Sequence, residues 1–388
     1  MRAITKPNIR SRGKALAGRR APSAPPQDGA GFEWASRSNY WLELTERLGI
    51  LRGPRQRSAP IILCGHGIKL NIERGTLLVR DGFSHYPQAR SEIRIFPGDP
   101  NRPTRILIVD GSGSVTFDVI DWLREQDIPL VRVDWRGVAT VIAGRDSYAA
   151  DHSAWRQQEA LRTDPKRRLA TARQLIEQKL QASLATLQAQ LPPTPKRSFA
   201  IEVIHEKLAQ LRSRQTWDVP ALHGIEGRAA KVYFDAWTDT PLRWRISKRY
   251  PVPDNWHVIG QRQSLTTGKR GKNRDASHPV NAMLNYAYAV LESEVRLQVL
   301  ANGLDPKCGF LHSGFRDAHA LVLDLMEPLR PVVDAAVLKF VLSETFSGPD
   351  FVLRSDGVCR LNAQLARRVA ELASIASTTS KLDPIVWQ

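Results

Sequence analysis

Residues 302–334 read NGLDPKCGFLHSGFRDAHALVLDLMEPLRPVVD, and this stretch decides how the C-terminal half of the chain is built. Gly303, Pro306 and Gly309 mark a turn region, and the short apolar run that follows ends in His312. The apolar spacing predicts a helix over Phe315 to Glu327. Asp324 and Glu327 stand three apart on it, so they share one face. Their neighbours Leu321, Val322, Leu323, Leu325 and Met326 are apolar, and an uncompensated charge among them is costly. Pro328 and Pro331 then interrupt the pattern. Glu327 is thereby placed at the negative end of a helix dipole, where a carboxylate without a cation costs ~0.3–1 kcal/mol. A bound divalent metal would relieve both costs.

Outward from this stretch the spacing stays helical. Helices are expected over Asp151 to Gln190 with a break at Asp164-Pro165, and over Phe199 to Arg214 and His223 to Trp237. Three more are expected over Val280 to Leu300, Val332 to Glu344 and Leu361 to Ala376. Leu242 to Arg274 reads as a loop with nine Lys/Arg against one Asp, and with Trp244, Tyr250 and Trp256 between them. Interleaved aromatics and cations suit a phosphate backbone, and a solvated loop with tucked tryptophans gives the same pattern.

Before about Ser147 the period changes to two. Ile61–Leu63 and Ile68–Ile72 lead through Gly75 into Thr76–Arg80, a predicted hairpin. Further strands are expected over Glu92–Phe96, Arg105–Val109, Ile128–Trp135 and Val138–Ile142. Gly111-Ser112-Gly113-Ser114 lacks the spacing of a phosphate loop and reads as a strand-to-helix turn, with Ser114 capping a helix over Val115 to Gln126. Residues 1–58 are expected to form a basic, disordered arm plus a short accessory helix over Glu33 to Leu51; the first twenty residues hold seven basic side chains and no acid. The expected architecture is α+β. A β-rich domain over 59–145, built of hairpins or a small sandwich with one helix, precedes an all-α catalytic domain over 146–388.

The formal net charge is +17, from 56 Lys+Arg against 39 Asp+Glu, which favours a polyanionic partner, most commonly nucleic acid. Three widely spaced cysteines give neither a zinc pattern nor a disulfide framework, as suits a reducing cytoplasm. No apolar run reaches the length of a membrane span, and no secretory signal is legible at the N-terminus.

Glu226 lies in Gly224-Ile225-Glu226-Gly227-Arg228, near the expected start of a helix, where an acid ordinarily does no more than complement the dipole. Gly227 beside it carries a helix cost of about 1 kcal/mol, which close approach of a ligand or of another backbone would explain. Glu226, His312 and Glu327 together make a donor set suited to Mn²⁺ or Mg²⁺, the imidazole favouring Mn²⁺. Asp324 has three roles open to it: direct ligand, holder of a metal-bound water, or a partner that orients His312. His319, between Ala318 and Ala320, reads as an ordinary core histidine.

These pieces occur in a distinctive order. It runs through Gly111–Ser114, Asp121-Trp122-Leu123, Ile128–Val131, Glu226–Tyr233, Pro279–Tyr288, Gly303–Pro306, Gly309–His312 and Asp324–Pro331. The set resembles the CRISPR-associated protein 1 endonucleases, the integrase subunit of CRISPR adaptation, from about Ile61 to about Ala376. The resemblance implies a homodimer and a catalytic metal site of Glu226, His312 and Glu327 with Asp324 close by. It implies action on double-stranded DNA, spacer precursor and CRISPR repeat, with the small CRISPR-associated protein 2 as bridging subunit. Arg330 and Lys231 are expected to contact phosphate. Leu329 stands where Phe is common in the family. No appended helix-turn-helix is legible after Ala376, unlike transposon-borne relatives. Two rival readings remain beside it: a catalytically inactive DNA-binding scaffold, and a transposon-type integrase or nuclease outside CRISPR immunity.

Overall fold

The computed structural model describes residues 59–84, 88, 91–135, 137–143, 152–213, 218–245, 247–262, 275–312 and 319–379. The basic arm, the helix expected over Glu33 to Leu51, residues 263–274 and residues 313–318 lie outside the described residues.

Six strands form one sheet: β1 (Ile61–Glu73), β2 (Thr76–Arg80), β3 (Glu92–Ile95), β4 (Ile106–Val115), β5 (Leu130–Val133) and β6 (Ala139–Ala143). Their order is β3-β2-β1-β4-β5-β6. This single sheet replaces the sandwich that hairpins alone would allow. The β1–β2 hairpin turns through Arg74 and Gly75, with φ of 51° and 74°, as a tight two-residue turn requires. The centre is parallel: β1 pairs with β4, and β4 with β5. Helix α1 (Phe117–Glu125) makes the crossover between β4 and β5.

The Gly-Ser-Gly-Ser run is not the turn its composition suggests. It continues β4 as far as Val115, with Ser112, Gly113 and Ser114 paired to His66, Ile68 and Lys69. A Cβ at Gly113 would stand 1.9 Å from the Ile68 carbonyl oxygen, so glycine serves close strand approach there. The cap of α1 is Thr116 rather than Ser114, and its side chain makes no capping hydrogen bond.

Alternation along β4 faces two cores. Ile106 and Ile108 pack with Val119, Trp122 and Leu123 of α1. Leu107 and Val109 point the other way, into the core of the helical half. A strand covered on both faces reads as an unbroken apolar run, as Ile106–Val109 does.

The helices are α2 (His152–Thr163), α3 (Pro165–Gln190), α4 (Pro195–Ser213), α5 (Val219–Asp235), α6 (Pro279–Ala301), α7 (Ala320–Met326), α8 (Arg330–Ser343) and α9 (Ala363–Thr379). Asp164 caps α3, accepting from the Lys166 and Arg167 amides, with Pro165 in the first turn. This half is not wholly α. Two short strand pairs interrupt it: β7 (Arg243–Arg245) with β8 (Thr345–Ser347), and β9 (Phe351–Leu353) with β10 (Cys359–Leu361). Helix α9 packs on β1 and β4, and α6 on β5 and β6, so sheet and helices share one core. Buried Arg105 ties them further, pairing with Glu294 of α6 and donating to Ser374 Oγ of α9.

Trp244 and Trp256 of the basic segment are tucked inward. They stack at 6.1 Å, and their indole N–H groups donate to Trp256 O and Ser277 O. Only Tyr250 of the three aromatics is exposed, beside exposed Arg243, Arg245, Lys248 and Arg249. The stacking platform anticipated for Trp244 and Trp256 is therefore core packing.

Candidate active site

Helix α5 begins one turn earlier than the spacing suggests. Asp218 is its cap, accepting from the Ala221 amide at 2.8 Å, and Pro220 sits in the first turn. Glu226 is therefore mid-helix and cannot be a cap acid complementing the dipole. The direction of Gly227's absent side chain is open, with no atom within 4 Å of where a Cβ would stand. Glu226 and Gly227 line a cavity of about 500 Å³ together with Lys179, Arg262, Tyr288, Glu327 and Arg330.

Glu327 caps the C-terminal end of α7 with helical backbone angles. Its carboxylate is buried and faces two cations. Lys179 Nζ on α3 donates to Glu327 Oε2 at 2.5 Å, and Arg330 Nε lies 3.3 Å from Oε1. The same Lys179 Nζ also donates to Glu226 Oε1. One ammonium thus bridges two carboxylates from distant parts of the chain. Burial pushes the Glu327 carboxyl up, but Arg330, Lys179 and the nearby His312 outweigh it and hold it below its ordinary range.

Asp324 is fully buried, yet all its acceptor capacity toward the preceding loop is used. Oδ2 accepts the amides of Phe310 at 2.5 Å and Leu311 at 2.9 Å. Oδ1 accepts the His312 amide at 2.9 Å and His312 Nδ1–H at 2.6 Å. Of the three roles open to it, this geometry is that of the residue orienting His312: the proton on Nδ1 leaves the ring's lone pair on Nε2. The loop is clamped from outside as well. Gln158 of α2 bonds Asp305 and Cys308 backbone, and Arg168 of α3 donates to Phe310 O at 2.8 Å. Gly309 has no room for a side chain, since a Cβ would meet His312 O at 2.6 Å.

Glu226 and Glu327 are therefore brought together across Lys179, and His312, held by Asp324, lies near enough to act on Glu327 electrostatically. Among the described residues, no three His, Cys, Asp or Glu side chains are gathered tightly enough to hold a metal as they stand. The donor chemistry nonetheless fits a divalent ion. Two carboxylates face one cation-filled gap, and a tethered imidazole of fixed tautomer stands nearby. Lys231 lines the cavity but pairs with Asp235 at 2.5 Å. His319 is half-buried at the residue before α7 rather than in the core.

Sequence reasoning missed four side chains here. His223, one turn before Glu226, meets the His312 ring edge-on at 5.9 Å. Lys179 is the cation just described. Tyr288 and Tyr233 both donate to buried Asp334, at 2.5 and 3.2 Å. Burial pushes the Asp334 carboxyl up to about 6. Lys179 had a legible signal: it falls on the same helix face as buried Ile176 and Ser183, where a lysine is unusual.

Among the described residues, no helix is long and apolar enough to cross a membrane. Residues 62–374 match the family described as CRISPR associated protein Cas1. A CRISPR-associated endonuclease Cas1 of Archaeoglobus fulgidus is 29% identical over 83% of this chain and 88% of its own. One from Thermus thermophilus is 28% identical, covering 80% of this chain and 84% of its own. A solved casposase bound to integration product aligns with TM-score 0.64 and 26% identity over 82% of each chain. A Cas1 protein from Thermotoga maritima shares the fold with TM-score 0.59 and 18% identity, over 86% of this chain and 94% of its own. With the family match spanning most of its length, in the motif order described above, the chain belongs to the CRISPR associated protein Cas1 family.

Proposed function

We propose that the protein is a metal-dependent DNA endonuclease and integrase of CRISPR adaptation that inserts short DNA spacers into a CRISPR array. The observation that carries this reading is the meeting of Glu226 and Glu327 across one cation, with Asp324-held His312 beside them. Glu226, His312 and Glu327 would hold Mn²⁺ or Mg²⁺, which when bound supplies Lewis-acid stabilisation of charge on the phosphate. In the reaction a 3′-hydroxyl of a short duplex attacks a phosphodiester, joining the strands and releasing the severed 3′-oxygen. With water in place of the hydroxyl, the same displacement is hydrolysis. Arg330 and Lys231, both on the cavity wall, would meet substrate phosphate in this reading, Lys231 by leaving its partner Asp235. Asp324 keeps the His312 lone pair on Nε2 throughout. The net charge of +17 supports DNA as partner. By family, the working assembly is a homodimer bridged by CRISPR-associated protein 2 in a bacterial or archaeal cytoplasm.

Glu226→Ala tests this reading. Strand transfer in Mn²⁺ should be lost while DNA affinity is retained; transfer that persists with intact affinity would refute the metal site. A wild-type protein that binds DNA yet transfers no strand in Mn²⁺ would instead support the inactive scaffold. The casposase likeness favours one second reading, a transposon-type integrase with the same strand-transfer chemistry. The genes beside this one decide it: a repeat array supports the adaptation reading.

A further inference from the structure

The cavity holds a balanced set of charges before any ion enters. Glu226 and Glu327 carry two negative charges, and Lys179 and Arg330 supply two positive ones at contact distance. Asp324 is engaged separately with three amides and the His312 ring, so it makes no ion pair with Lys179 or Arg330 and its negative charge stands behind the cluster. The Lys179 side chain is only 14% exposed and the Glu327 side chain 9%, so the inner end of this ion cluster is largely shielded from water. Charges in such a place are held by partners rather than by water, and removing one partner is expensive. A divalent ion added to the four-charge cluster would bring two positive charges into the gap, more than the single negative charge of Asp324 behind it offsets. That is unfavourable unless a cation leaves or an anion arrives.

Lys179 is the cation free to leave. Its ammonium sits at the end of a flexible four-carbon stem and makes point-charge contacts. Arg330 is fixed more firmly, since its guanidinium also lies over the Tyr288 ring at 4.9 Å. We propose that Lys179 is a built-in counter-ion: it keeps Glu226 and Glu327 paired in the metal-free protein and is expelled from between them when the divalent ion binds. The released ammonium remains on the cavity wall, where the phosphate of the DNA substrate is its natural new partner. Metal and substrate then favour each other's binding, because the phosphate takes up the charge that the metal frees. This inference rests on the metal-site reading above.

Mn²⁺ binding to the full chain, followed by the loss of the free-ion EPR signal, tests it without an activity assay. In Lys179→Met the competing cation is gone. Mn²⁺ should bind about tenfold tighter than to the wild type, ~1.4 kcal/mol. The metal-free variant should melt at a lower temperature, and saturating Mn²⁺ should recover more of its melting temperature than it adds to the wild type. Equal or weaker Mn²⁺ binding by a folded Lys179→Met would overturn the proposal while leaving the metal site standing. Wild type and variant both failing to bind Mn²⁺ would overturn the metal site and the proposal together. Should Lys179→Met not fold, the wild type alone decides. Amine-acylation footprinting at fixed pH, read by mass spectrometry, should show Lys179 labelling rise several-fold with Mn²⁺ while exposed Lys196 stays constant. Unchanged Lys179 labelling in protein that has bound Mn²⁺ would refute displacement.

Discussion

Asp324→Asn separates the orientation of His312 from every other feature of the site. The carboxylate accepts four N–H groups, two on each oxygen. An Asn offers one oxygen. Placed toward Phe310 and Leu311 it keeps those two amides, but as neutral rather than charge-assisted bonds. Its NH₂ group then faces the His312 amide, donor against donor, and that half-buried amide loses its acceptor. Weakened bonds and one orphaned N–H together cost about 3–5 kcal/mol. The NH₂ can still bond His312 Nδ1, but only if the ring moves its proton to Nε2. The lone pair is then on the wrong nitrogen for a metal. Asp324→Asn should therefore lower stability by that amount in urea denaturation and weaken Mn²⁺ binding at least tenfold, with DNA affinity unchanged. A variant with wild-type stability would refute the hydrogen-bond assignment. A destabilised variant with wild-type Mn²⁺ affinity would refute the tautomer argument alone.

Three further outcomes follow from other parts of the fold. Gly227→Ala should raise stability by about 0.5–1 kcal/mol in thermal melts, because the position is mid-helix and a Cβ there meets nothing; a loss would mean the cavity wall is closed. Asp334 has its folded pKa raised from 3.8 to about 6 by burial, so its contribution to stability is fully present below pH 3.8 and lost as pH rises through about 6. That loss is on the order of 2–3 kcal/mol, and urea titrations of Asp334→Asn should show the variant gaining on the wild type between pH 4 and 7. DNA affinity measured by anisotropy should fall about 10³-fold between 50 and 200 mM salt if some six phosphates are neutralised, and Arg249→Ala should reduce the slope of that fall by about one; a flat titration would remove the exposed Arg243–Arg249 face as a DNA track.

The parts of this protein that a sequence discloses are those fixed by local periodicity. Alternation disclosed β1 and β2, an unbroken apolar run disclosed the start of β4, and helical spacing disclosed α3 to α9, with α5 beginning a turn early and α7 confined to Ala320–Met326 of the longer helix expected there. The errors arose where a residue type had two physical uses. Gly111 to Ser114 has the composition of a turn, but Gly113 serves the approach of β4 to Ile68, a contact made by a strand about forty positions earlier. Glu226 resembles a cap acid because apolar spacing alone starts the helix at His223. The cap pair Asp218 and Pro220 places it mid-helix, where a carboxylate has no dipole reason to exist. That relocation removes the dipole explanation of Glu226 and leaves its pairing with Lys179 as the feature to explain. Lys179 was overlooked for the opposite reason. On a charged, Ala- and Gln-rich helix the one signal a lysine gives is its place on the apolar face, and among so many charged neighbours that signal is weak. Once that face is known to be buried, the acids and the lysine explain each other. Two glutamates lining one cavity require a cation, and a lysine on an apolar stripe requires acids. Sequence spacing could nominate each member separately, but only folding supplies the gap they share, and the size of that gap is what Lys179 and a divalent ion would compete to fill.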